Sequence, residues 1–131
     1  MAITLSAATR ALVDGKNFAA MATVNPDGSP QTSVLWVTRD GDDLLFSTLR
    51  DRAKARNLVR DPRASVSVWS SEDPERYAEI RGTVTVEVDE GFVVMNALAR
   101  KYYGRDFPAP GPDQVRVVLR LTPTKVTGSA V

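Results

Sequence analysis

The 131-residue chain contains neither cysteine nor histidine. Without cysteine there can be no disulfide, no thiolate nucleophile and no cysteine-ligated metal. Without histidine the chain lacks the commonest general base and the commonest metal ligand. Serine–histidine and cysteine–histidine hydrolases are therefore excluded. A metal held by carboxylates alone is not expected either, because no Asp/Glu group has the spacing of a calcium loop or a paired-metal site. Long apolar runs are missing as well: "MAITLSAATRALVDGKN" is interrupted by Arg10 and Asp14. It reads as neither a secretion signal nor a membrane span, so the expectation is a cytoplasmic protein that engages no membrane. The formal charge is only +1. Any enzyme built from this inventory must leave its hardest chemistry to a bound group.

What is present is the composition of an ordinary globular domain, 43% hydrophobic and 25% charged. Residues 1–131 read as a single domain, long enough to bury roughly two-thirds of its unfolded surface. Ser6 can cap a helix running to about Val13 and closed by Gly15. Phe18 to Val24 reads as a strand, "NPDGSP" as a turn, and Gln31 to Thr38 as a second strand. "RDGDD" turns the chain into a third strand, Leu44 to Thr48. Ala64 to Trp69 is a fourth, and Arg76 to Val88 alternates cleanly as a fifth. In that fifth strand Ala78, Ile80, Gly82, Val84, Val86 and Val88 share one face. Asp89 or Glu90 opens a helix with Phe92, Met95, Leu98, Ala99 and Tyr102 on one stripe, ended by Gly104. Val115, Val117, Leu119 and Leu121 mark a sixth strand. The expected fold is α+β and mainly β: a six-stranded antiparallel barrel with peripheral helices.

The most unusual stretch is "FSTLRDRAKARNLVRDPR", Phe46 to Arg63. It holds six of the seventeen Lys and Arg residues, opposed only by Asp51 and Asp61. Ala55, Leu58, Val59 and Pro62 fall on one face of a helix. Arg52 and Lys54 fall in its first turn, with Asp51 near the cap. Backbone N–H groups there lack intrahelical partners, and the helix dipole attracts an anion. Cations at the start of a helix oppose the usual charge placement. That arrangement fits a phosphorylated small molecule better than a purely solvated face. Nucleic acid is not expected, since the segment has no aromatic residue for base stacking and net charge is near zero.

Four segments carry a family resemblance: "FAAMATVNPDGSPQTSVLWV", "LLFSTLRDRAKARNLVRDPRASVSVW", "YAEIRGTVTVEVD" and the closing "VVLRLTPTKVTGS". In this order they resemble the flavin- and deazaflavin-binding split-barrel proteins, relatives of pyridoxamine 5′-phosphate oxidase. The most specific part, Ser47 to Ser65, is similar to the branch that uses coenzyme F420, a deazaflavin with a phosphate and a polyglutamyl tail. The resemblance implies a split β-barrel homodimer with cofactors in grooves between subunits. It implies cofactor phosphate binding by Ser47, Thr48, Arg52 and Lys54, with Gln31, Ser33, Val34, Leu35 and Trp36 beside the ring and Arg56 and Arg60 toward the tail. It further implies an F420H2-dependent reductase that passes a hydride to a planar conjugated acceptor such as an enone, quinone or bilin. An FMN-dependent oxidoreductase and a non-catalytic F420 carrier or sensor are the alternatives. Charge-assisted bonds to phosphate are strong, and FMN would need fewer cations than the tailed deazaflavin.

No residue earns a catalytic role, and a proton needed after hydride transfer could come from solvent. Trp36 and Trp69 read as strand packing, with Trp36 open to a place beside the ring. Tyr77 and Arg81 share the polar face of the fifth strand, and Tyr102 reads as packing. Strands two and six are apolar on both faces: Val34 and Trp36 against Leu35 and Val37, and Val118 against Val117 and Leu119. A strand buried on both faces needs a second packing partner, either another subunit or an outer helix.

Overall fold

A computed structural model describes all 131 residues and places seven strands in one antiparallel sheet. They are Phe18–Val24 (β1), Pro30–Trp36 (β2), Thr38–Asp40 (β3), Asp43–Leu49 (β4), Arg63–Trp69 (β5), Tyr77–Val88 (β6) and Arg116–Gly128 (β7). Three helices accompany them: Ala7–Asp14 (α1), Ala53–Arg60 (α2) and Val93–Tyr103 (α3). The strand order is β2-β1-β5-β6-β7-β4-β3. Since β2 and β3 are consecutive in the chain yet sit at opposite edges, the sheet must curl toward closure. The result is a split barrel.

Local chemistry explains most element ends. The Ser6 hydroxyl accepts from the Thr9 amide at the start of α1, and Gly15 N–H closes that helix on the Ala11 carbonyl. The Asp89 carboxylate accepts from the Val94 and Met95 amides and so caps α3. Inside the barrel, Met21, Phe46, Val66, Val68, Ile80, Leu119 and Leu121 are wholly buried. Each such side chain is worth about 1.5–3 kcal/mol of transfer free energy. Ala55 and Leu58 of α2 join this core. Where β6 and β7 shift register at Arg81/Gly82, a Cβ on Gly82 would sit 2.1 Å from the Thr122 carbonyl oxygen. Only glycine fits there.

The strand count is seven rather than the expected six, because the second strand breaks at Val37. The Val37 amide donates to the Tyr102 hydroxyl, and its carbonyl accepts from the Lys101 ammonium at 2.6 Å. Both groups are thereby diverted from the ladder to α3. Burial pushes the Lys101 pKa down to about 8, with Asp14 opposing the shift. The last strand also runs further than its apolar alternation, through Pro123 to Gly128.

The N-cap of α2 is Arg52, with no side-chain cap bond, and Asp51 precedes it. Val59, expected on the buried face, is 73% exposed. The buried position belongs instead to Asn57, whose amide donates to Thr23 Oγ1 and Asn25 Oδ1. Thr23 in turn donates to Gln31 Oε1 at 2.7 Å. This chain of bonds fixes α2 against β1 and β2. Asn57→Ala should lower apo stability by about 1–3 kcal/mol through unsatisfied buried partners. Urea denaturation checks it: a midpoint unchanged within error would show that the network contributes nothing.

The expectation of two-faced burial is met in part by a helix. α3 packs against β4 and β7 and buries Met95, Leu98, Ala99 and Tyr102. Leu45 and Val118 are buried too, on the sheet face opposite Phe46 and Leu119. So the outer side of β7 is covered without a second subunit. Val34 on β2 stays 63% exposed, and Val88, at the end of β6, is also exposed.

Candidate functional site

At the edge of the sheet, β2 leaves a row of backbone N–H and C=O groups without strand partners. Such a row can pair with the rim of a planar heterocycle that alternates carbonyls and N–H groups. A cleft of about 230 Å³ opens beside it, lined by Phe18, Val34, Leu35, Trp36 and Ser47. Alternation along β2 sends Gln31, Ser33 and Leu35 to one side and Val34 and Trp36 to the other, so these five do not form one surface. Gln31 is engaged with Thr23. Trp36 stacks on Tyr102 with ring centroids 5.0 Å apart and meets Tyr103 edge-on at 4.7 Å. Phe107 stands 6.1 Å from Trp36. The indole is therefore locked as one wall of the cleft.

On the cleft wall the buried Ser47 Oγ has no hydrogen-bond partner; Ser33 Oγ is unpaired too, but on the face of β2 that it shares with Met21. Leaving a buried polar group unpaired costs about 1–3 kcal/mol. The Ser47 hydroxyl is thus poised for a ligand. Thr48 points the other way, toward the core, and is almost fully buried.

Downstream of β4 the chain enters α2, and here the cations gather. Arg10, Arg39, Arg63, Arg81, Arg100 and Arg120 each lie within salt-bridge distance of a carboxylate. Arg52, Lys54, Arg56 and Arg60 have no such partner. Lys54 is half-buried, and burial followed by repulsion from Arg52 holds its ammonium pKa below the usual lysine range. A desolvated cation beside another cation is a poor arrangement for an empty protein and a good one for an anion. Arg56 is exposed, whereas the Arg60 guanidinium donates to the Val24 carbonyl and, at 3.4 Å, to Asn57 Oδ1. Arg60 is accordingly less available than its place in the sequence implies.

Sequence reasoning missed Arg116, the first residue of β7. Its Nε is buried with no partner, and its guanidinium carbon lies 5.5 Å from the Phe107 ring centroid. The only signal in the sequence is a lone arginine before an apolar run. Two larger hollows, of about 270 and 310 Å³, lie elsewhere on the surface. Neither contains an unpaired buried polar group, and Arg63 and Arg81 in the first are neutralised by Asp61 and Glu79. The β2–β4 cleft is the better site on chemistry. No three His, Cys, Asp or Glu residues come together to hold a metal. No helix is long and apolar enough to cross a membrane.

The profile of the pyridoxamine 5′-phosphate oxidase family matches residues 5–130. A solved F420 reductase is 30% identical over 94% of this chain and 98% of its own, with a TM-score of 0.83. A pyridoxamine 5′-phosphate oxidase-related, FMN-binding protein from Nostoc punctiforme is 22% identical. That match covers 90% of this chain and 75% of the other, with a TM-score of 0.63. General Stress Protein 26 from Bacillus anthracis is 18% identical, covering 91% and 88% with a TM-score of 0.71. The last two are likenesses of fold.

Proposed function

The chain belongs to the pyridoxamine 5′-phosphate oxidase family, and we propose that it is an F420H2-dependent reductase acting on planar conjugated acceptors. Enones, quinones and bilin-like molecules are the acceptor classes. The observation that carries the reading is the buried, unpaired Ser47 hydroxyl set between an aromatic cleft and a group of cations without carboxylates. A ligand with a flat ring at one end and several negative charges at the other fits that layout, as coenzyme F420 does.

In this reading Ser47, Arg52 and Lys54 hold the phosphate, and Thr48 supports them from the core. The edge of β2, from Gln31 through Ser33, Val34 and Leu35 to Trp36, orients the ring. When bound in its reduced form, the deazaflavin supplies the hydride. The chain's own part is to exclude water with Phe18, Val34, Leu35 and Trp36 and to hold the acceptor flat against the ring. The proton comes from solvent, since no acid side chain lines the cleft. Residues 1–131 act as one domain of a homodimer, in the cytoplasm, on a small molecule rather than on nucleic acid or a membrane.

The test is titration of the purified protein with F420 and with FMN, followed by fluorescence, and then F420H2 oxidation against an acceptor panel. Preferential F420 binding with acceptor-dependent oxidation is expected. Tighter FMN binding would move the reading to a flavin enzyme. Tight F420 binding with no turnover would leave a carrier.

The tail should be felt electrostatically. Affinity is expected to rise with polyglutamate length at low salt and to lose that dependence at high salt, because screening acts over about 8 Å at physiological ionic strength. Arg56→Ala should flatten the length dependence more than Arg60→Ala does, since Arg60 is held by Val24. Equal affinities for long and short tails at low salt would remove any tail role for this helix.

A further inference from the structure

The outer face of β4 and β7 carries two of the three buried unpaired polar atoms in the molecule, Ser47 Oγ and Arg116 Nε. Their strand positions explain the coincidence. Ser47 pairs with Val118 and Leu49 with Arg116, so all four side chains share the face opposite Phe46 and Leu119. Arg116 therefore stands one step along this face from the hydroxyl already assigned to the site. The Leu49 carbonyl accepts from the Arg52 amide, which brings the start of α2 to the same corner.

A continuous line of groups follows. The ring cleft ends at Trp36, Trp36 meets Phe107, and the Phe107 ring lies against the Arg116 guanidinium. Beyond it is Arg52, close enough for mutual repulsion, and beyond that Lys54. Asp89, whose amide donates to the Arg116 carbonyl, attracts the guanidinium, but its two carboxylate oxygens accept from the amides of Val94 and Met95. Asp89 is not within salt-bridge distance of Arg116. A guanidinium has five N–H donors in a rigid fork suited to oxyanions. Here the fork is partly buried beside an aromatic ring, and its Nε proton has no partner within the chain.

We infer that Arg116 is a further binding residue of this site, taking an oxyanion at the junction between the ring cleft and the start of α2. This rests on the cofactor reading above. The oxyanion has two possible sources with one chemistry, the cofactor phosphate and a carboxylate on the acceptor. Phe107 stands on one side of the guanidinium, at 5.5 Å from its carbon, and leaves the other side for the anion.

The experiment reads the Arg116 Nε–H resonance by nitrogen-15 NMR, identified by its disappearance in Arg116→Lys. Inorganic phosphate and F420 are titrated separately into the wild-type protein. In parallel, Arg116→Gln is compared with wild type for F420 affinity and for kcat/KM on a carboxylated acceptor and its methyl ester. If the cofactor is the source, F420 should shift the resonance and Arg116→Gln should weaken F420 binding by roughly 10- to 100-fold. If the acceptor is the source, F420 affinity stays the same. The preference for the free acid over the ester then falls by a similar factor. An Nε–H resonance that moves with neither phosphate, F420 nor the carboxylated acceptor overturns the proposal, and needs no variant to fold. Failure of F420 to bind the wild-type protein at all, with a phosphate-induced shift at Arg116 intact, would instead overturn the cofactor reading and leave the oxyanion site standing.

Discussion

Lys54→Ala should weaken F420 binding by about 1.5–3 kcal/mol while leaving the cofactor-free protein as stable as wild type or slightly more stable. The affinity term is the loss of one charge-assisted hydrogen bond to phosphate. The stability term follows from the surroundings of the ammonium. It is half-buried, has no carboxylate, and is repelled by Arg52. Its pKa is lowered from 10.5 by burial first and Arg52 second. With the folded value below the unfolded one, the unfolded chain binds more protons between the two. Apo stability therefore rises as pH increases through that window. Binding an anion reverses the balance, because it favours the charged form and draws a proton in. F420 affinity should accordingly fall as pH rises toward 10.5, and Lys54→Ala should remove that part of the fall. Fluorescence titration across pH and thermal melts without cofactor check both halves. A drop in apo melting temperature with unchanged affinity would make Lys54 a structural residue.

The strands that alternate cleanly were legible in the sequence, because their period is set by the barrel interior alone. β5 is of this kind, with Ala64, Val66 and Val68 buried as alternation requires. The cap at Ser6 and the stop at Gly15 are equally local. The failures are all tertiary. Nothing near Val37 announces that its amide and carbonyl will be taken by Tyr102 and Lys101, more than sixty residues away. Helical periodicity rates Val59 as core and Asn57 as surface. The reverse holds because Thr23 and Asn25 offer Asn57 partners across a gap of more than thirty residues.

The site was legible where its chemistry is crowded and illegible where it is single. Arg52 and Lys54 stand out because cations at a helix start contradict the helix dipole. Ser47 has no local signature as a ligand group beyond the family resemblance. Its meaning appears once the fold buries the hydroxyl and withholds a partner. Arg116 is a clearer instance, since register with Leu49 across β4 and β7 is what brings it to Arg52. Arg60 shows the opposite error: the resemblance sends it with Arg56 toward the tail, but its capture by Val24 was not visible.

Light scattering at micromolar concentration should give twice the 14.3 kDa mass of the chain, and Ala20→Lys should return it to the monomer value. The ground is the outer face of β1, β2 and β5, which α3 covers only at its Phe18–Trp36 end. Ala20 sits between Val34 on β2 and Ser67 on β5, and Ala22 sits between Thr32 and Ser65. Phe18 and Trp36 lie opposite each other at one end of this face, with Trp69 opposite Tyr77 nearby. Phe18, Val34 and Tyr77 are large apolar side chains left exposed. Small residues across the middle with large apolar ones around them make a flat surface that a second copy can approach closely. Self-association by a twofold axis needs only one such patch. In a lone chain Ala20→Lys puts its ammonium into open solvent, so the fold should survive with an unchanged melting temperature. In the dimer the same charge would be desolvated without a partner, which costs several kcal/mol. Ala20 stands opposite Val34 of the cleft wall, so the variant is read for mass alone and not for F420 affinity. A wild-type protein that is monomeric and still binds F420 tightly would defeat both the assembly and the shared groove.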